Sequence, residues 1–210
     1  MVLALVVLLA ALGIGLLLGG RVGWLGALPL RRTWLVPVAL VVQAGGALQG
    51  LRFALVPAFA LVGVFLVLNR GVRGLPLVGL GLLANTLAIG LNAAMPVSLA
   101  ATAVAGISTQ DILTGADSRH VVADEQTRLP WLGDVVPVLL PFRPEVVSPG
   151  DVLVAAGLAE LVVIGMLPMP VGAVRTLEAV VPRRNPMAKK GRKRRARKKS
   201  GANHGKRPNA

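Results

Sequence analysis

The chain has 210 residues, 54% of them hydrophobic and 15% charged, with a mean hydropathy of +0.70; a soluble domain carries about 25% charged residues, so this is the composition of a membrane protein. It contains no cysteine and two histidines, which excludes a disulfide framework, a thiolate zinc site, an iron–sulfur cluster and a cysteine nucleophile. The formal net charge of +14 is unevenly placed: eleven of the 23 basic residues follow Met187, where no acid occurs, while residues 1–186 carry twelve Arg and nine acids, net +3, so a nearly neutral apolar body precedes a short polycation.

Residues 1–20 carry no charged side chain and as a helix measure about 30 Å, the thickness of a hydrocarbon core. With no basic residue ahead of them and Arg21 behind, they read as a retained first helix and not as a secretory signal. Further apolar runs lie at 33–51, 53–69, 75–92 and 152–171. The predicted fold is therefore all-α, a polytopic bundle of about five spans with an irregular outer loop at 93–150. Arg52 alone separates the second and third spans, which makes them a tight hairpin. Basic residues near helix ends are retained in the cytoplasm. An outside N-terminus puts Arg21, Arg31, Arg32, Arg70, Arg73, Arg175, Arg183 and Arg184 inside, and Arg52, Arg119, Arg128 and Arg143 outside. Eight against four favours N-out and C-in, in a bacterial inner membrane. Trp24 and Trp34 flank the first inner loop, where amphipathic rings suit the interface.

Gly15 with Gly19, and Gly46 with Gly50, have the small-xxx-small spacing that lets helix backbones approach. Pro37, Pro57 and Pro168 are expected to kink their helices. Gly79, Gly81 and Ala84 spell a dinucleotide fingerprint, discarded because no strand precedes it. Glu160, ninth in the last run, is placed near mid-membrane, where an ionised carboxylate costs at least about 2.5–3.5 kcal/mol. Gln43, Gln49, Asn85 and Asn92 offer amide partners. Asn85 and Asn92, seven residues apart, share a helical face. A proton or ion path through Glu160, Asn85 and Asn92 is one reading, which would make the chain a small transporter or channel. Interhelical hydrogen bonds that fix packing are the simpler one.

Seven of the nine acids fall between Asp111 and Asp151, and so long and acidic a loop points to a small subdomain or a functional segment. Short helices are expected at 111–115 and 120–126, with Pro130, Pro137, Pro141, Pro144 and Pro149 keeping the following chain extended. Ser148-Pro149-Gly150-Asp151 reads as a turn and cap for the last helix, Asp151 accepting from its free first-turn amides. On a helix, Asp117, His120 and Asp124 would share a face and could ligate a divalent metal; a solvated acidic face with one hydrogen-bonded histidine needs less. Asp134 could cap a turn. No serine has a base and an orienting acid around it. No enzyme activity, cofactor or small-molecule substrate is therefore expected.

Ala93-Ala94-Met95-Pro96-Val97 after an Asn-bearing helix, then His120, Thr127-Arg128-Leu129, Leu132-Gly133-Asp134 and Val147-Ser148-Pro149-Gly150-Asp151, resemble an uncharacterised bacterial membrane family, domain of unknown function 5317, over roughly residues 1–175. The resemblance implies the topology and, as motif positions, Asn92, Met95, Pro96, His120, Asp134 and Asp151; it implies no catalytic role.

After a linker at 176–186, the tail at 187–210 has too few apolar residues to build a core and is expected to be disordered by itself. Its cations suit either phosphate neutralisation on RNA or anionic lipid. Met187 to Lys193, the central Arg/Lys run, and Ala202 to Ala210 resemble the very short large-subunit ribosomal protein of actinobacteria. That resemblance implies contacts with ribosomal RNA from Lys189, Lys190, Arg192, Lys193, Arg194, Arg195, Arg197, Lys198, Lys199, Lys206 and Arg207, with Asn203, His204 and Asn209 available for shape-specific hydrogen bonds. The expected partners are thus membrane lipid and large-subunit RNA. Either the fusion tethers ribosomes to the membrane, across a 15-residue connection from Gly172 to Pro186 of at most about 50 Å, or two neighbouring reading frames are joined and Met187 is a second start.

Overall fold

The computed structural model describes residues 2–48, 55–114, 116–117, 119–140 and 143–168. The chain divides into two units, Met1–Pro168 and Met169–Ala210, and every described residue lies in the first. The architecture is mostly helical. Five apolar helices fall where the apolar runs are: α1 (Val2–Leu17), α2 (Leu35–Leu48), α3 (Leu55–Leu68), α4 (Leu75–Asn92) and, after the polar segment, the last helix at Pro149–Met166. Between the fourth and the last come β1 (Met95–Val97), α5 (Leu99–Ala105), α6 (Gln110–Leu113), β2 (His120–Val122), β3 (Val136–Val138) and β4 (Glu145–Val147), so the last helix is α7. At 18 residues each, α4 and α7 are long and apolar enough to cross a membrane. The 16 residues of α1 and the 14 each of α2 and α3 are equally apolar but shorter.

Glycine determines how α4 and α7 meet. They run antiparallel, with Gly81 against Gly150 and Gly74 against Gly157: a Cβ on Gly81 would lie 2.4 Å from the Gly150 carbonyl oxygen, and one on Gly157 2.5 Å from that of Gly74. The two glycines on each helix are seven residues apart, two turns, and so occupy one face. Backbone therefore touches backbone over two full turns. This seam is absent from the four-residue spacings read in the sequence. Of those, Gly15 does pack, against the Met166 side chain, but its companion is Gly20, against the Met166 carbonyl. Gly19 instead turns the chain out of α1 at φ +78, with open space around it. Gly46 is buried in α2, and Gly50 lies outside the described residues.

The prolines also differ from expectation. Pro37 and Pro57 are the third residues of α2 and α3, and Pro168 follows α7. First-turn amides have no intrahelical acceptor, so proline there removes nothing and bends nothing.

The two ends of the bundle are chemically distinct. The Val2 and Leu3 amides donate to the Glu145 carboxylate, just ahead of α7, and Arg21 N–H donates to the Met166 carbonyl at 2.8 Å; α1 and α7 are therefore parallel. At the far end Asn69, 3% exposed, accepts from Arg31 N–H at 2.6 Å and donates to the carbonyls of Arg31 and Phe65 at 3.0 and 2.7 Å. One buried amide thereby ties the connection before α2 to the connection after α3. Around it Leu35, Phe65 and Leu75 form a small core with Leu161 of α7. Arg21, Arg31, Arg32, Arg70 and Arg73 all belong to this end. The Arg21 guanidinium stands 5.8 Å from the Trp24 ring centroid, and Trp34 is half exposed.

The segment from 93 to 148 sits at the opposite end as a small mixed subdomain. Strand β1 pairs in parallel with β2, Met95 opposite His120 and Val97 opposite Val122, and β3 pairs antiparallel with β4. The expected helix at 120–126 is not formed. Val121 and Val122 are β-branched and favour the extended strand that runs along β1, and Asp124 to Thr127 make a turn. The expected helix at 111–115 appears as one turn, Gln110–Leu113.

Candidate functional site

The subdomain at 93–148 concentrates polar side chains around β1. Met95 and Pro96 are buried. Asp134 N–H donates to the Pro96 carbonyl at 2.7 Å, and Ser98 N–H to the Asp134 carbonyl at 3.0 Å, so Asp134 flanks β1 on the side away from β2. Gly133 makes this approach possible, since a Cβ there would be 2.3 Å from the Pro96 oxygen. With His120 opposite Met95 on one side and Asp134 across Val97 on the other, a short strand brings together two residues fourteen positions apart.

His120 lies between two carboxylates. Its Nδ1 is 2.7 Å from Asp117 Oδ2 and its Nε2 is 3.6 Å from Asp134 Oδ2. The Asp117 carboxyl is held below its ordinary pKa, first by the hydrogen bond from Arg119 N–H and then by His120. An ionised Asp117 accepts, so Nδ1 carries hydrogen and Nε2 is the ring atom turned to Asp134. Asp134 is different: its side chain is 10% exposed, and burial, reinforced by the nearby Asp151 charge, raises its pKa to about 7 while His120 pulls the other way. Near neutrality this arrangement holds one exchangeable proton at Asp134 beside an imidazole already oriented by a second carboxylate. At 3.6 Å the Asp134 carboxyl and Nε2 are neighbours and not hydrogen-bonded, so the feature is a proton-holding carboxyl, Asp134, beside an oriented imidazole.

Asp151 belongs to a second, linked network. Ser148 is the N-cap of α7: its Oγ accepts from Asp151 N–H at 2.9 Å, and the Asp151 carboxylate accepts from Ser148 N–H at 3.3 Å, a capping box. The expected cap is present, but the first-turn amide is accepted by Ser148 and not by Asp151, whose carboxylate takes the N-cap's own N–H; α7 begins at Pro149, three residues before the apolar run. Asn85 of α4 donates to Asp151 Oδ1 at 2.7 Å and accepts from Ser148 Oγ at 2.8 Å. Replacing Asn85 with Leu leaves a half-buried carboxylate and a fully buried hydroxyl short of a partner; a loss of about 2–3 kcal/mol is expected, read as a lower unfolding midpoint in detergent.

The structure does not assemble the path through Glu160, Asn85 and Asn92. Asn92 accepts from Arg128 N–H and donates to the Arg128 and Ala88 carbonyls, pinning the 128–132 turn onto the end of α4. Asn85 is held by the cap. Glu160 lies at the other end, lining a groove with Arg70 and Arg73. Since Gly74 touches α7 at Gly157 and Leu161, Glu160 is level with the first turn of α4 and not mid-span. Gln43 is exposed on α2, and Gln49 lies outside the described residues. The Asp117, His120 and Asp124 triplet is not assembled either. Asp124 turns to Gln126 N–H and the Thr127 hydroxyl, and among the described residues no group of three or more ligating side chains could hold a metal. Asn69 and Glu145, which organise the two ends of the bundle, were missed in the sequence; an Asn closing an apolar run was the available signal for the first. The tail residues from Lys189 to Arg207 lie outside the described residues.

Most of these positions fall within residues 27–163, which match the model of a family of unknown function, DUF5317. That is more than half of the chain, which belongs to this family. Residues 187–210 match a second model, the 50S ribosomal protein L37 helical region. No curated protein matches the chain, and no solved structure does.

Proposed function

We propose that this is a multi-pass inner-membrane protein whose five apolar helices all span, N-terminus outside, with the proton-holding site on the outer face and the L37-like segment acting as a cytoplasmic ligand for large-subunit ribosomal RNA. The segregation of charge carries this reading. Five arginines gather at the bundle end where α1 and α7 finish, and the acidic subdomain occupies the other. Retention of basic loops in the cytoplasm then orients the bundle, and the chain leaves α7 on the side where ribosomes are. Eleven cations in the last 24 residues, with no Phe, Tyr or Trp and with His204 as the one ring able to stack on a base, suit extended passage along RNA phosphates.

The test is fractionation of cells carrying a C-terminal tag at the native locus. A full-length product that sediments with membranes and remains with ribosomes in high salt is expected, and substituting Arg192, Lys193, Arg194 and Arg195 with Gln should release the ribosomes. A tagged peptide of about 24 residues in ribosomes, with no full-length band, would show two separate proteins and end the tether.

A further inference from the structure

A groove lies beside Glu160, apart from the His120–Asp134 site. It has a volume of about 220 Å³ and is lined by Arg70, Arg73, Pro76, Leu77 and Glu160, at the arginine-bearing end and level with the start of α4. Arg70 and Arg73 are exposed, and Glu160 is half-buried. The α4 first turn contains no acid and its N-cap, Gly74, has no side chain; although the Leu75 N–H donates to the Val72 carbonyl and Pro76 has no N–H, the start of the helix adds the positive end of its dipole to the charge of the two arginines. Pro76 and Leu77 give it an apolar wall. Opposite charges are thus presented from two elements: cations from the α3–α4 connection and one carboxylate from α7.

We infer that this groove is a binding site for the headgroup of an amino-phospholipid, phosphatidylethanolamine, with the phosphate on Arg70 and Arg73 and the ammonium on Glu160. Guanidinium groups suit phosphate oxygens, and a carboxylate placed beside them repels a lone anion but accepts from an N–H₃⁺ group. Choline presents no N–H donor, so the site discriminates between two zwitterionic lipids of the same net charge. The volume is below the roughly 300 Å³ at which ligand pockets for larger molecules begin, and suits a headgroup whose acyl chains stay in the bilayer against the apolar wall. The inference rests on the membrane reading above.

The full chain, extracted in mild detergent and given an equimolar mixture of phosphatidylethanolamine and phosphatidylcholine, is expected to retain the former about tenfold over the latter after detergent exchange, by mass spectrometry of bound lipid; tenfold corresponds to about 1.4 kcal/mol. Glu160→Gln should bring the ratio to near one while phosphate-bearing lipid is still bound, and R70Q/R73Q should lower retention of both lipids. A wild-type ratio near one, or an unchanged ratio in Glu160→Gln, overturns the proposal. Displacement of the lipid by equimolar soluble O-phosphoethanolamine overturns it too, because the ligand would then be a soluble amino-phosphate. Recovery of the chain in the soluble fraction without detergent overturns the membrane reading itself, a result distinct from membrane-extracted protein that shows no lipid preference.

Discussion

Gly157→Ala is expected to destabilise the protein by about 3 kcal/mol, near the upper end for overpacking a well-packed interface. The added methyl has no space: at 2.5 Å from the Gly74 carbonyl oxygen and 2.7 Å from Val78 N, it meets backbone on the facing helix, which cannot rotate aside as a side chain would. The helices must separate, and the Asn85–Asp151–Ser148 network two turns away loses its alignment. Gly90→Ala is the matched control, since Gly90 lies on α4 with nothing within 4 Å of its would-be Cβ. There the gain in helix propensity, about 0.5–1 kcal/mol, should stabilise. Thermal unfolding of both variants in one detergent separates the explanations. Equal effects would show that the seam does not hold α4 to α7.

Asp134→Asn should remove a pH dependence. The folded Asp134 has a pKa of about 7 against 3.8 for the ordinary group, so between these values the native state keeps a proton that the unfolded chain releases. Stability from this residue is therefore greatest at low pH and declines as pH rises toward 7. Three units at 1.36 kcal/mol each amount to about 4 kcal/mol as an upper value. Asn keeps the shape without the charge, so the variant should gain on wild type progressively from about pH 4 to pH 7 and hold a constant advantage above. Asp117 works in the opposite sense, its pKa being lowered, and its contribution is common to both proteins. Unfolding midpoints measured at pH 5 and pH 8 check this. A variant no better relative to wild type at pH 8 than at pH 5 would mean that Asp134 is not buried in its charged form.

The parts of this structure legible in the sequence are those governed by local composition. Apolar runs between arginines give five helices near their observed positions because each run needs only its own residues to be helical. The Ser148–Asp151 cap, four residues long, is equally local. What escaped depends on distant partners. Nothing in Gly150 and Gly157 alone indicates that Gly81 and Gly74 face them, and a search for four-residue spacing passes over a seven-residue one. His120 and Asp134 are both visible as candidates in the sequence, yet their meeting requires β1 between them, and a helical spacing of His120 with Asp124 does not apply to a segment that forms a strand and a turn. The depth of Glu160 in its own apolar run places it near mid-span, whereas the start of α4 beside it determines its surroundings.

Topology is the claim on which the function rests, and the absence of cysteine makes it directly measurable. Single cysteines at Glu125, in the acidic subdomain, and at Gly71, in the α3–α4 connection, can each be tested with a membrane-impermeant maleimide on intact cells. Gly71 has open space at its would-be Cβ, and Glu125 is exposed, so neither substitution should disturb the fold. Glu125→Cys is expected to label in intact cells, and Gly71→Cys only after permeabilisation. The opposite pattern, or labelling of both in intact cells, would contradict it and remove the basic tail from the side where ribosomes are.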